Sequence, residues 1–506
     1  MQITSNLFIV FLAVSLLVYY VLPKKSQWLV LLAISYAYYV IVSPPAVVFL
    51  LFSTVVTYVC AAAIEKRKAS GDAGAAAACK WIMLAGLLLD LGMLAFLKYT
   101  NFILETVNGI ARTHIPMLKL LLPLGISYYT FATVGYILDV YWGRIKAEQN
   151  FLKVALFVSF FPQLLQGPIS RFGSLGHQLW EEHTFSLHIL KEGMMRIVWG
   201  LFKKMVLAEW AAVYVEAIFA DMDTYGGLIL IGMILYAIEL YCDFSGGIDV
   251  MIGVSSLFGI TLDENFQRPF FAVSLSDFWR RWHITLGTWM KDYVMYPLTL
   301  SKGMNRLGKN CKKVFGRKRG RLIPICISNI IVFVLVGVWH GAEWRNVLWG
   351  LYNGVIIALS SFLAKDFENW KKKLHIKDSA AWYHGFMMLR TFLLVIIGLL
   401  SDLVTGVGDL GKALGYAFTR FTPGQILSIS SGKLGTAYTP YALLTLLLGC
   451  VLLLVISILQ ERGIRIRSAL GKAPLAVSFA ACLILLLCVP LFGPVAMARG
   501  FIYAQF

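Results

Sequence analysis

Apolar residues in this chain come in long unbroken runs rather than alternating with polar ones. A helix needs about 20 mostly apolar residues to cross the hydrocarbon of a bilayer. Runs near that length fall at 6–22, 28–43, 46–64, 81–97, 122–141, 198–219, 228–258, 322–340, 345–363, 386–404, 441–459 and 474–492. The pattern predicts an all-α polytopic membrane protein with about 11–13 transmembrane helices. A transmembrane β-barrel would alternate apolar and polar positions instead. No internal repeat is visible.

Two apolar stretches do not fit as simple crossings. Phe151–Arg171, FLKVALFVSFFPQLLQGPISR, contains Pro162, Gly167 and Pro168, which break a helix. The stretch 265–298, NFQRPFFAVSLSDFWRRWHITLGTWMKDYVMYPL, carries Arg268, Arg280, Arg281, Lys291 and Asp292, charges that make a lipid-exposed crossing expensive. Irregular backbone at membrane depth is tolerated where it is buried in protein or lines a cavity. Both stretches therefore read as re-entrant or in-plane segments entering from the cytoplasmic side and lining a cavity together. Three regions follow: N-terminal transmembrane helices over 1–150, a core with re-entrant segments over 151–405, and C-terminal transmembrane helices over 406–506.

Composition agrees. Of 506 residues, 59% are hydrophobic and 14% charged, against about 25% charged in a soluble domain. The net charge is +18, and nine basic residues with no acidic one lie between Lys302 and Arg321. Such clusters collect in cytoplasmic loops, which accounts for the run better than nucleic acid does. With the N-terminus outside, Lys24-Lys25, Lys66-Arg67-Lys68, Arg144 with Lys146, 302–321, Lys371-Lys372-Lys373 and Arg462 with Arg465 and Arg467 all fall inside, and the C-terminus outside. Lys98, Arg112 and Lys119 are a weak exception. The basic pair follows the first apolar run, the order of a retained first helix rather than a cleaved signal. The eight cysteines form no CxxC pair, so neither a zinc site nor a disulfide framework is indicated.

Two histidines stand out at membrane depth. Read as one helix, 276–293 places Trp279, Trp282, His283, Leu286, Met290 and Tyr293 on a shared face. His340 ends an apolar run in VFVLVGVWHGAEW, flanked by Gly337 and Gly341. The bland readings are a hydrogen-bonded core histidine for His283 and a helix C-terminal cap for His340. No carboxylate or further histidine is spaced to complete a metal site, so no metal is expected. Glu239 and Asp243, four apart on one helix, suit an ion pair better than a proton path. Asp90 in LLLDLGML shows no partner in the sequence.

Taken together, SNLFIVFLAVSLLVYYVLPKK, LPLGISYYTF, VGYILDVYWGRIKAEQNF, ALFVSFFPQLLQGPISRF, YCDFSGGIDV, the 265–298 stretch and LVGVWHGAEWRNVLWGLYNG make the chain similar to the membrane-bound O-acyltransferase (MBOAT) family. Within it the chain most resembles the alginate O-acetylation branch, with the teichoic acid D-alanylation branch second. The likeness spans most of residues 5–400. It departs from the family pattern at Gln166-Gly167-Pro168-Ile169, at Asp243–Asp249 and at Ser401-Asp402, where an FR pair is common. Substrate choice would sit in such peripheral differences.

The resemblance implies a ring of tilted helices around a central funnel. It makes His340 the essential catalytic residue and His283 the second polar position. Trp279, Arg280, Arg281, Trp282, Trp339, Asp292 and Asn265 are the candidate substrate- and tunnel-lining residues. No bound cofactor is implied. The donor would be an acyl thioester from the cytosol, acetyl-CoA or an acyl carrier protein. The acceptor would be a hydroxyl of an extracytoplasmic cell-surface polysaccharide, or a partner such as an SGNH-hydrolase-like acetyltransferase. D-alanyl transfer to teichoic acid is one alternative; a transporter using Glu239 and Asp243, or a non-catalytic scaffold, is another. The expected location is the bacterial cytoplasmic (inner) membrane among its lipids, with roles in exopolysaccharide, alginate or cell wall modification.

Overall fold

The computed structural model describes residues 2–404, 406–429 and 441–494, so the expected outer C-terminus lies outside the described residues. The first four helices are α1 (Asn6–Val21), α2 (Gln27–Val42), α3 (Val47–Ser70) and α4 (Ala75–Ala111). Then come α5 (Ile126–Trp142), α6 (Phe151–Ser159), α7 (Phe161–Gln166), α8 (Phe172–Trp180), α9 (Leu187–Phe202), α10 (Glu209–Ala220) and α11 (Ile229–Leu257). The 265–298 stretch holds α12 (Leu275–Arg281), α13 (Ile284–Met290), a π-helical turn (Lys291–Met295) and α14 (Tyr296–Thr299). Beyond it lie α15 (Lys302–Arg319), α16 (Ile323–His340), α17 (Trp344–Phe362), α18 (Ala364–Lys373), α19 (Ala381–Leu399), α20 (Val407–Thr419), α21 (Ile426–Ser428), α22 (Tyr441–Glu461), α23 (Ile466–Lys472) and α24 (Leu475–Phe492). Among the described residues the extended pairing is a single antiparallel bridge, Phe266 with Trp282.

Each of the twelve apolar runs is helical, but among the described residues eight helices are long and apolar enough to cross a membrane, or nine if the bent pair α17–α18 is one span. The remaining differences have physical causes. Helix α1 has only 16 residues. Helix α5 has 17 residues and is buried from Ile126 to Val140, so protein rather than lipid surrounds its Ser127, Thr130, Thr133 and Asp139. The 198–219 run is divided by a π-helical segment, Lys203–Ala208, between α9 and α10.

That π-helical segment turns two lysines into the interior. Lys203 pairs with Asp249 at 2.7 Å, and Lys204 with Asp243 at 2.6 Å and Glu209 at 2.9 Å. Asp243 thus serves in an ion pair tying α11 to the π-helical turn, as its spacing suggested. Arg196 of α9 continues the network, reaching Asp249 at 2.9 Å and both carboxylate oxygens of Glu264 at 2.7 and 2.5 Å. Buried charges persist when paired in this way. Glu264 precedes Asn265, so the network fixes where the re-entrant stretch begins. Asp90 also finds a partner: Ser53 of α3 donates to it at 2.8 Å.

Both doubtful stretches are broken into short helices instead of forming single crossings. Helix α6 ends at Phe160, whose extended backbone (φ −52°, ψ 107°) precedes Pro162 in the first turn of α7. A proline there needs no N–H partner. After Gln166 the chain runs extended; the amide of Ile169 donates to Thr285 Oγ1 at 3.1 Å, joining the two stretches.

Candidate active site

The sequence pattern predicts one helix over 276–293, and the structure corrects this. The helix stops at Arg281, Trp282 is extended (φ −109°, ψ 131°), and His283 is left-handed (φ 46°, ψ 51°) before α13 starts. The expected shared face is therefore broken. His283 supplies no side-chain cap to α13; Asn265 does so from a distance. Asn265 Oδ1 accepts from Thr285 N at 3.0 Å and from Thr285 Oγ1 at 2.9 Å, while Ile284 N donates to the Asn265 carbonyl at 3.0 Å. Gln267 N bonds the Arg281 carbonyl at 2.9 Å, clamping the turn from the other side. A left-handed non-glycine residue is strained, and these bonds hold it.

The turn buries His283 to 2% exposure. Its Nδ1 lies 3.2 Å from Asn265 Nδ2 and 3.3 Å from Asn265 Oδ1, and Phe244 of α11 meets the ring edge-on at 4.9 Å. Trp339 joins the two histidines, its ring 5.9 Å from that of His283 and 4.7 Å from that of His340. The structure thus brings together His283, Asn265, Trp339 and His340.

His340 is the last residue of α16 and is 8% exposed. The α16 carbonyls that lack an intrahelical partner are met from α4: Lys98 donates to Trp339 O at 2.5 Å and Tyr99 to Val338 O at 3.0 Å. This explains the position of Lys98, one of the three basic residues outside the charge pattern. A Cβ on Gly337 would come within 2.1 Å of Asn346 O, so glycine is required for α16 and α17 to approach. That closeness sets Trp349 against His340, ring centroids 5.4 Å apart at 87°.

His340, Trp279, Trp282 and Trp349 line a cavity of about 40 Å³, together with Tyr236, Asn346, Asn353 and Asp402. Trp279 is fixed by its Nε1–H donating to Asn353 Oδ1 at 3.1 Å. The other expected lining residues are elsewhere. Arg280 and Arg281 bond Asp277 at 3.3 and 3.2 Å, and Arg281 also reaches Glu461 at 3.2 Å. Asp292 pairs with Arg171 at 2.5 Å. These three residues are not among those lining this cavity. Asn346, Asn353 and Tyr236 were missed. The signal was faint: Asn346, Trp349 and Asn353 recur at 3 and 4 residue steps within an apolar helix. No group of three or more potential metal ligands occurs among the described residues.

The chain is 32% identical to the probable alginate O-acetylase AlgI of Azotobacter vinelandii over 72% of its own length and 70% of that protein's. It belongs to the membrane-bound O-acyltransferase family. Residues 144–310 match the MBOAT, membrane-bound O-acyltransferase family, a span that includes His283 and stops short of His340. The chain is also 34% identical to the peptidoglycan O-acetyltransferase of Helicobacter pylori, over 60% of its length and 59% of that protein's. Identity to the teichoic acid D-alanyltransferase of Bacillus subtilis is 29%, over 56% and 69%. This membrane-bound O-acyltransferase is thus a multi-pass membrane enzyme that transfers acyl groups.

Proposed function

We propose that the protein moves an acetyl group from a cytoplasmic thioester to a hydroxyl of an extracytoplasmic cell-surface polysaccharide, or of a partner transferase. The observation that carries this reading is the placement of His340 on the wall of a cavity of about 40 Å³ lined by the rings of Trp279, Trp282 and Trp349. Since one water needs about 10–15 Å³ of such volume, the space suits a group of a few heavy atoms and has no place for a long acyl chain. The relatives named for alginate and peptidoglycan acetylation support an envelope polysaccharide as acceptor. D-alanyl transfer remains the second reading, since a D-alanyl group is also small and a D-alanyltransferase is among the relatives. A carrier reading loses support because Asp243 is engaged with Lys204.

In this mechanism His340 accepts the proton of the acceptor hydroxyl, and the oxygen attacks the thioester carbonyl carbon. The C–O bond forms, the C–S bond breaks, and the sulfur leaves as a thiol, receiving the proton from His340. His283 donates to the carbonyl oxygen as negative charge develops there, the kind of stabilisation that a water-excluded site strengthens. Trp279, Trp282 and Trp339 exclude water. The donor is a substrate, acetyl-CoA or an acyl carrier protein; it enters from the side of the basic helix α15, which precedes the opposite end of α16 from His340.

The test is His340→Ala in the full chain, read as acyl ester released from the cell envelope by hydroxylamine. Loss of ester at unchanged protein level is the expected result; unchanged ester overturns the assignment. Chemical identification of the released acyl group as acetyl or D-alanyl chooses between the two donors.

A further inference from the structure

Three polar groups share the cavity with His340 and take no part in the transfer step above. Asn346 is 7% exposed, and its side-chain amide has no hydrogen-bond partner among the described residues. Asp402 follows the end of α19; Tyr236 of α11 donates its O–H to Asp402 Oδ2 at 3.3 Å, while Oδ1 takes no hydrogen bond from the described residues. The main chain at Asp402 is held by Arg345, whose guanidinium donates to the Asp402 carbonyl at 3.4 Å and pairs with Glu343 at 2.6 Å. Both residues line the cavity, so the Asn346 amide and Asp402 Oδ1 offer a donor and an acceptor to a ligand there.

We infer that Asn346, Asp402 and Tyr236 form the subsite for the acceptor, and that the acceptor's reacting end is a polyol. One hydroxyl stands against His340. A neighbouring hydroxyl donates to Asp402 Oδ1, and the Asn346 amide donates to an adjacent acceptor oxygen. Tyr236 holds the carboxylate in the orientation that leaves Oδ1 facing the cavity. The subsite lies at the C-terminal ends of α16 and α19 and the start of α17, away from the basic helix α15, which is the side from which an acceptor would meet a donor coming from the other face. It also gives a role to the departure from the family pattern at Ser401-Asp402. This inference rests on His340 as the base.

The experiment compares Asp402→Asn, Tyr236→Phe and His340→Ala with the unaltered full chain in its own membrane. Two quantities are read: hydroxylamine-released envelope ester, and the rise in thermal unfolding midpoint that acetyl-CoA gives the detergent-solubilised protein. Asp402→Asn is expected to lower ester at least tenfold, and Tyr236→Phe several-fold, with the acetyl-CoA shift equal to that of the unaltered chain. Asp402→Glu restores part of the ester. Ester within twofold of normal in Asp402→Asn overturns the subsite, and so does ester loss accompanied by loss of the acetyl-CoA shift, which would place Asp402 with the donor or the fold. If His340→Ala keeps its ester while Asp402→Asn loses it, the base assignment fails and the subsite stands.

Discussion

Asn265 holds His283: its amide lies 3.2 Å from His283 Nδ1 across 18 residues of chain. The same side chain accepts both hydrogen bonds that Thr285 offers. One residue therefore performs two tasks. It caps a helix that its own chain neighbours do not enter, and it fixes the ring orientation of a buried histidine. Upstream, Arg196 anchors Glu264, so a charge network in α9 and α11 is transmitted to the histidine through the main chain.

Asn265→Ala should lower stability by about 2–4 kcal/mol, because two buried donors of Thr285 and one position on His283 lose their partner. Asn265→Asp keeps the acceptor for Thr285 and should lose less stability, yet cannot donate to His283. The expected signature is a large drop in unfolding midpoint for Ala, a small one for Asp, and reduced envelope ester in both. An Ala variant that unfolds like the parent would show that the cap is supplied otherwise.

Helices α16 and α17 carry His340 and Trp349, and their approach depends on glycine. A Cβ at Gly350 would lie 2.3 Å from the Phe333 carbonyl oxygen of α16. Gly350→Ala must push the helices apart, at a cost of about 1–3 kcal/mol for overpacking. Envelope ester should fall by more than the loss of folded protein explains, since Trp349 would retreat from His340. Gly303→Ala in α15, where nothing lies within 4 Å, is the control and should be silent.

How much of this was legible beforehand depends on the range of the forces involved. The apolar runs are a local signal, and all twelve are helices; His340 fell at the end of its run as the pattern put it. Their number as full crossings was not legible, because α1 and α5 stop at 16 and 17 residues and a π-helical segment divides the 198–219 run. The break at Trp282–His283 was invisible for a similar reason. Local propensity favours one helix there, and the cap that stops it comes from Asn265. The partners of Arg280 and Arg281 were legible only in part: Asp277 lies three and four residues away, whereas Glu461 is 180 residues from Arg281. Asp402 was visible only as a departure from a pattern, and its place beside His340 needed the packing of α19.

The turn at 221–225 is tied to α20 by Asp223, which accepts from Lys412 at 2.8 Å and from the Tyr416 hydroxyl at 2.9 Å. The Lys412 ammonium first, and then the hydroxyl, hold the Asp223 carboxyl below the usual carboxylate range. A depressed carboxyl contributes while pH is above its unfolded value, about 3.9, and the contribution is lost as pH falls through the folded value. Hydrogen exchange in α20 should therefore be flat from pH 7 to 5, after correction for intrinsic exchange, and should quicken below about pH 4. Asp223→Asn should remove that dependence; a variant with the same acid profile would place its origin elsewhere.

Lys204 offers the sharpest stability test. Its side chain is 4% exposed, and it bridges Asp243 of α11, 1% exposed, and Glu209 of α10, 5% exposed. Lys204→Met keeps the apolar stem and deletes the charge, taking from two buried carboxylates the cation they share. Breaking such a pair costs about 3–5 kcal/mol, so the single variant should be poorly folded. Asp243→Asn alone should cost less, since Lys204 keeps Glu209. Combining Lys204→Met with Asp243→Asn and Glu209→Gln should recover much of the loss, because the two carboxylate charges that Lys204 met are removed with it. Unfolding midpoints and yields of the solubilised protein decide it. If the triple variant is as unstable as Lys204→Met, packing of the lysine stem rather than its charge sets the cost. If envelope ester returns with the triple variant's stability, the ion pairs hold α11 and its Phe244 in place against His283 and take no part in proton movement, which a carrier built on Asp243 could not survive.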